Sequence, residues 1–373
     1  DILAERFADD ASIRDQLRKL SRREGKIVTA VKNAEKDEKQ VFEMYYEYEE
    51  PVNRIVPHRI LAINRGEKED VLRVSITVPV ERAVQMMESK WIPKNFTSGA
   101  IAHIKEAIAD SYKRLIEPSI EREIRAELTE KAEAQAIHIF SENLRNLLLQ
   151  PPIRGKMVLG VDPAYRTGCK LAVVDETGKM LEVTAIYPHP PKPDVAKSKA
   201  VVKALLKKYP ISIIAIGNGT ASRETEQFIV DTLKEIENDI AYVIVNEAGA
   251  SVYSASDVAR SEFPDLQVEQ RSAVSIARRL QDPLSELVKI DPKAVGVGQY
   301  QHDVSQKQLA ESLTFIVETA VNQVGVDVNT SSASLLQYIS GLSKTVAENI
   351  VNARAEGGKF TSRAQLKKIP RLG

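Results

Sequence analysis

The sequence predicts a multidomain chain, mainly α-helical with one α/β domain, and three observations predict it. Helical periodicity dominates as far as Pro151-Pro152. Three strand-like runs joined by short turns follow, and these give way to alternating helices and strands up to Ile290. From residue 331 a short helix, a tight corner and a second helix form a unit that then begins again. A chain of 373 residues has room for several domains of the usual size, about 100 to 200 residues each. The expected division is 1–152, a helical region with a short strand element; 153–290, the α/β domain; 291–330, a helical linker; and 331–373, the repeated unit.

In the first region the clearest helix lies between Thr97 and Leu149. Apolar residues recur at Ile101, Ile104, Ile108, Tyr112 and Leu115, then at Ile120, Ile124 and Leu128 beyond Pro118, a spacing that lines one face of a helix. Proline suits a first helical turn, so a new long helix is expected to start at Pro118. Glu121 with Arg125 and Glu127 with Lys131 have the four-residue spacing of a solvated face. Val71 to Val80 alternates like a short strand. The region reads as scaffold.

Pro151-Pro152 ends the helix, because proline cannot continue one and biases its predecessor toward extended backbone. The strands expected next are Met157 to Val161, Lys170 to Val174 and Met180 to Tyr187. A proline-rich crossing leads to helix Val195 to Tyr209, strand Ile211 to Gly217, helix Ser222 to Ile236, strand Ala241 to Val245, and helices Ser251 to Glu262 and Ser272 to Ile290. Short turns make the first three strands antiparallel, and the later alternation adds parallel strands, so a mixed sheet with helices on both faces is expected. A dinucleotide-binding domain would alternate from its first strand and carry GxGxxG, and neither holds here.

After Asp291 comes a glycine-containing loop, KAVGVGQYQHDV, and a helix from Ser305 to Val324. Ser334 to Ser340 then makes a helical turn or two, Gly341-Leu342-Ser343 a corner, and Lys344 to Arg354 a second helix. Past Gly357-Gly358 the same unit restarts at Thr361 and ends on Pro370 to Gly373 without its second helix. The chain starts without methionine, on DILAERFADD, and reads as a piece of something longer.

Lysines and arginines balance aspartates and glutamates at 52 each, which removes the overall basic field of many nucleic-acid binders. The exception is Lys344 to Gly373, with seven basic residues against two glutamates. The single cysteine, Cys169, argues against a disulfide framework or a cysteine zinc site and fits a reducing cytoplasm. No apolar run approaches the roughly 18 residues that span a membrane, and no membrane partner is expected.

Asp162 closes the first strand of the α/β domain in MVLGVD, a carboxylate at the end of a run that otherwise reads as buried. Such an aspartate can cap its own loop, here Pro163 to Gly168, or do chemistry. IAIGNGTASRE places Thr220 and Ser222 between a strand and a helix, as caps or as part of an anion-binding helix start. His302 beside Asp303 is read as structural.

The strand order with Asp162 ending the first strand resembles the RNase H-like fold, in its YqgF-type branch. Nucleases of that fold hold divalent ions on several carboxylates: one on the first strand, one after the fourth strand in space, one on the final helix. The resemblance implies Asp162 for the first and Glu247, in VIVNEAGAS, for the second. The final helix, QRSAVSIARR, offers no third: Glu269 lies before it and Asp282 far along it. Asp162 and Glu247 are therefore expected to be a vestigial catalytic pair. No cofactor is expected, with magnesium or manganese needed only if the pair cuts nucleic acid.

The C-terminal unit resembles tandem helix-hairpin-helix motifs, whose corners point backbone amides at nucleic-acid phosphates and so ignore base sequence. Gly341, Leu342, Ser343 and Lys344 fit the first corner; Lys367, Lys368 and Arg371, with Pro370 to Gly373, fit the second. Ser343 stands where a second glycine is common.

Longer stretches, HRILAINRGEKEDVL (58–72), GNGTASRETE (217–226), YSASDVARSEFPDL (253–266), SIARRLQDPLSELVKIDPKAVGVGQYQHDV (275–304) and VGVDVNTSSASLL (324–336), are similar to signatures of the bacterial transcription accessory family Tex. The resemblance covers the chain. It implies a helix-turn-helix-containing region before Asp1 and an S1 RNA-binding domain after Gly373. It also implies a non-enzymatic scaffold that binds RNA, DNA or both beside RNA polymerase or other transcription machinery, with an inactive YqgF-type domain. The other reading is a metal-dependent nuclease or resolvase acting through Asp162 and Glu247.

Overall fold

The computed structural model describes residues 2–95, 98–237, 239–296 and 298–372. The chain forms two units, one of residues up to Ile139 together with Tyr300–Gln306, the other of Phe140–Gln299 with Lys307–Gly373.

In the first unit, α1 (Ile2–Ala8) and α2 (Ala11–Glu24) precede β1 (Lys26–Val31), β2 (Glu47–Pro51), α3 (Pro57–Lys68), β3 (Leu72–Thr77) and α4 (Val80–Trp91). The strands make an antiparallel sheet in the order β2-β1-β3. Only β3 is legible by alternation, because β2 is the charged edge strand EYEEP. Helix α5 (Ile101–Asp110) runs through a π-helical segment, Ser111–Ile116, into α6 (Glu117–Leu148). Pro118 therefore starts no new helix. Proline inside a helix removes a donor and crowds the carbonyl four residues back. The wider π turn just before it, where the Glu117 amide reaches back to Tyr112, gives the ring room. Ile108, Tyr112, Ile116, Ile120 and Ile124 lie in one buried cluster with Ile13, Leu17 and Met87.

Tyr300–Gln306, expected within a linker, belongs to this first unit. Asp303 takes both arms of the Arg65 guanidinium, with Nε at 2.9 Å, and the Tyr300 ring lies 5.3 Å from that guanidinium. The Ser305 amide donates to Glu133 at 2.9 Å. His302 thus sits on an anchored segment, beside an aspartate that serves an arginine.

In the second unit, β4 (Met157–Asp162), β5 (Cys169–Val174), β6 (Met180–Ile186), α7 (Val195–Lys208), β7 (Ile211–Gly217), α8 (Ser222–Lys234) and β8 (Ala241–Val245) are followed by α9 (Ala250–Ala255), α10 (Asp257–Glu262), α11 (Val268–Gln281) and α12 (Pro283–Leu287). The sheet order is β6-β5-β4-β7-β8, or 3-2-1-4-5 counting from β4. Strands β4, β5 and β6 are antiparallel neighbours, and β7 and β8 add in parallel. Leu159, Val161, Leu171, Ile214 and Ile216 face Val202 and Leu205 of α7 and Phe228 and Ile229 of α8. Val158, Ala172, Val174 and Ala215 face Ala273, Val274, Ile276 and Ala277 of α11. Helices thus cover both faces, as expected.

Helix α11 presses on the central strand because residue 160 is glycine. A Cβ there would lie 2.9 Å from the Ala277 Cβ and would strike the Ala273 carbonyl oxygen. The helix expected over Ser272 to Ile290 begins earlier and breaks at Asp282-Pro283: Asp282 accepts from the Ser285 amide at 3.1 Å and so starts α12.

Helix α13 (Gln306–Val324) leads to α14 (Ala333–Leu336), α15 (Lys344–Gly357) and α16 (Arg363–Leu366). Leu336, Val346, Ala347, Ile350 and Ile369 share one buried cluster with Leu342 and Leu372 at its margin, so the two copies of the repeated unit fold around a common core. Among the described residues no helix is long and apolar enough to cross a membrane.

Candidate nucleic-acid interface and carboxylate pair

The two helix-hairpin-helix corners are built alike. In the first, Ser332 caps α14, the Leu342 amide donates to the Ile339 carbonyl at 2.9 Å, and Ser343 caps α15 by accepting from the Val346 amide. In the second, a Ser362–Gln365 capping box opens α16, and Leu372 donates to Ile369 at 3.1 Å. Ser343 thus replaces the commoner glycine with a side-chain cap. Gly341 has φ +86°, a backbone that L-residues seldom adopt.

Buried Ile369 and the Asn349 side chain, which donates to the Pro370 carbonyl at 3.1 Å, hold the second corner against α15. Lys344, Lys367, Lys368 and Arg371 are exposed. Their charged groups have no partner among the described residues. Gly373 lies outside the described residues.

The carboxylate pair lies at the end of the mixed sheet. Asp162 ends the central strand β4, beside Ser272 on α11. Burial pushes its pKa up to about 6, with Glu247 adding to the rise and Ser272 and Lys170 opposing it. Glu269 stands in the first turn of α11 rather than before the helix, near enough to add to the rise as well.

Lys170, paired with Asp162 across the β4–β5 ladder, is buried and gives its ammonium to the carbonyls of Thr167 and Gly168, the latter at 3.0 Å. What holds the loop after Asp162 is therefore Lys170.

Glu247 needs a correction of place. The fourth strand in space is β7, and the residue after it is Asn218; Glu247 follows β8, the fifth. Its carboxylate folds back over Gly217 and Gly219, where a Cβ on Gly219 would lie 2.6 Å from the Glu247 Cδ. Asn218 Oδ1 accepts from the Glu247 amide at 3.1 Å. Burial raises the Glu247 pKa, against the Gly219 amide and the Arg279 charge. One carboxylate oxygen, Oε2, is buried with no hydrogen-bond partner among the described residues.

The charge of Glu247 thus reaches Asp162, and a hydroxyl, Ser272, stands on the helix where a third carboxylate would be needed. Asp282, at the far end of α11, serves as a helix cap. Thr220 and Ser222, read as caps or as part of an anion-binding helix start, make no cap bond among the described residues: the residue before α8 is Ala221, with φ +63°.

Three family models match the chain: "Tex central region-like" over 1–140, "Tex protein YqgF-like domain" over 156–281, and "Helix-hairpin-helix motif" over 321–373. The chain belongs to the Tex family. Similar curated proteins include the "Uncharacterized protein YdcI" of Bacillus subtilis, 64% identical over 100% of this chain and 52% of its own length. The "Transcriptional accessory protein Tex" of Neisseria gonorrhoeae is 45% identical, with 100% of this chain and 49% of its own length covered. The human "S1 RNA-binding domain-containing protein 1" is 42% identical, with 100% and 39% covered. The chain spans about half the length, or less, of these Tex relatives.

Lys170, Ser272 and Asn218 are the site residues that sequence reasoning missed. A lysine inside the apolar run CKLAVV was the available signal for the first.

Proposed function

We propose that this chain is a non-enzymatic nucleic-acid-binding portion of a Tex-type transcription accessory protein. It grips RNA or DNA by the sugar-phosphate backbone, without regard to base sequence, at the two helix-hairpin-helix corners. The observation that carries this reading is the pair of matching corners on one core, each followed or preceded by unpaired lysines. Backbone amides and flexible cations recognise phosphate, which is the same at every position. The gonococcal relative's name supports a setting beside the transcription machinery, with RNA polymerase as the protein partner to test and the cytoplasm as the compartment. Duplexes of equal length and unrelated sequence should bind with equal affinity in fluorescence anisotropy; a preference of tenfold or more for one of them would sink the reading.

The second reading, a metal-dependent nuclease, is favoured by the charge of Glu247 acting on Asp162 and by the partnerless Glu247 oxygen. The donor set does not fit it: hard cations want several oxygen ligands, and no cluster of three or more acidic, histidine or cysteine side chains among the described residues could hold one. Incubating the chain with labelled RNA and DNA in magnesium or manganese decides between the readings. Cleavage that is lost in Asp162→Asn would establish the nuclease, and intact substrate supports the binding scaffold.

A further inference from the structure

A second surface of the same unit carries aromatic rings and unpaired cations together, well away in sequence from the hairpin corners. It is made by two segments, the loop Pro163–Gly168 after β4 and the stretch Tyr187–Lys197, which crosses from β6 into the first turn of α7. They interlock at two points. The Tyr165 ring meets the His189 ring edge-on at 5.9 Å, and Gly168 lies so close under Tyr187 that a Cβ there would come within 2.6 Å of the ring.

Both tyrosines are held in place, yet open to solvent. Glu224 sits beside the Tyr165 hydroxyl and raises its pKa, while buried His189 is fixed by Thr225 at 2.8 Å. The Tyr187 amide donates to Ser198, and its carbonyl accepts from the Asp194 amide at 2.7 Å. Tyr165 and Tyr187 nevertheless expose 37% and 48% of their surface. Arg166, Lys192 and Lys197 are exposed on the same two segments, and their charged groups have no partner among the described residues.

We propose that this surface, carried by Tyr165, Arg166, Tyr187, Lys192 and Lys197, binds single-stranded nucleic acid. Rings fixed at one edge offer a flat face on which an unpaired base stacks, and stacking tolerates any base. The three free cations answer the phosphates between such bases. Of the nearby acids, Asp194 caps α7 by accepting from the Lys197 amide, and Glu224 lies beside the Tyr165 hydroxyl, so the three cations outnumber them. Bases in a duplex cover each other's faces, so the surface selects single strands.

The test uses the whole chain, labelled oligothymidylate and a duplex of equal length, in fluorescence anisotropy. Tyr187→Ala should weaken oligothymidylate binding about fivefold or more, Tyr187→Phe should restore it, and duplex binding should stay unchanged. Lys192→Glu with Lys197→Glu, both at exposed positions that cannot undermine the core, should weaken oligothymidylate binding in the same way. The same losses should appear in a Lys344→Glu, Lys367→Glu, Lys368→Glu background, which separates this surface from the hairpin corners. Oligothymidylate affinity untouched by the lysine pair, equal losses for single strand and duplex, or no binding of oligothymidylate by the unmodified chain would each overturn the proposal.

Discussion

Arg371 stands where Gly341 stands. In each corner the residue before the closing leucine takes a left-handed backbone, φ +68° at Arg371 and +86° at Gly341, and in each that leucine amide bonds the isoleucine three residues back. Glycine adopts this conformation freely, whereas an L-residue is held there at a cost of about 1 kcal/mol. Arg371→Gly should therefore leave stability unchanged or raise it by up to about 1 kcal/mol, while weakening nucleic-acid binding by removing a cation. Gly341→Ala, with open space around its Cβ, should lower stability by about 1 kcal/mol through backbone strain alone. Urea unfolding of both variants checks the pair.

Asp162 makes the chain less stable as pH rises. Its pKa lies near 6 in the folded chain against an ordinary 3.8, so the folded state holds the proton more tightly than the unfolded one. The associated stabilisation is full below about pH 4 and is lost as pH climbs through 6. Asp162→Asn, which never ionises, should gain up to about 2 kcal/mol over the unmodified chain at pH 7, and the gain should vanish below pH 4. Stability curves at the two pH values measure it.

Gly160→Ala should be among the most damaging single-methyl additions to the chain. The new carbon would meet the Ala273 carbonyl and the Ala277 side chain, and a helix lying on a close-packed sheet yields only by moving as a whole. A loss of about 3 kcal/mol is expected, read from thermal or urea unfolding. Gly99→Ala, where no atom crowds the site and the backbone is not left-handed, is the control for loss of a glycine as such.

The Arg65–Asp303 pair fastens Tyr300–Gln306 into the first unit. Arg65→Ala leaves a largely covered carboxylate unpaired and should cost about 2 to 3 kcal/mol. Asp303→Ala should cost a similar amount, and the double variant less than the sum. Limited proteolysis should cut near Tyr300 faster in every variant.

The sequence makes the α/β domain legible because its strands are short apolar runs bounded by turn residues, and because three strands before any helix leave few topologies. The helix-hairpin-helix copies are legible because Leu336, Ile339 and Leu342 recur as Leu366, Ile369 and Leu372. Pairings between distant residues are not. Asp303 meets Arg65 across most of the chain, β2 is an edge strand too charged to alternate, and the place of Glu247 depends on which strand lies fourth in space. Pro118 misleads for a local reason, since the π turn that admits it leaves no mark in the apolar spacing. Ser272 carries no signal until α11 is laid against β4.

The central claim is that the hairpin corners hold nucleic acid by its backbone. The direct measurement is duplex affinity against salt, for the unmodified chain and for Lys344→Glu, Lys367→Glu, Lys368→Glu. The account predicts affinity that falls steeply as salt rises, and a variant that binds at least about tenfold more weakly with a log–log slope smaller by about 3. Affinity independent of salt, or a variant that binds as the unmodified chain does, would contradict it.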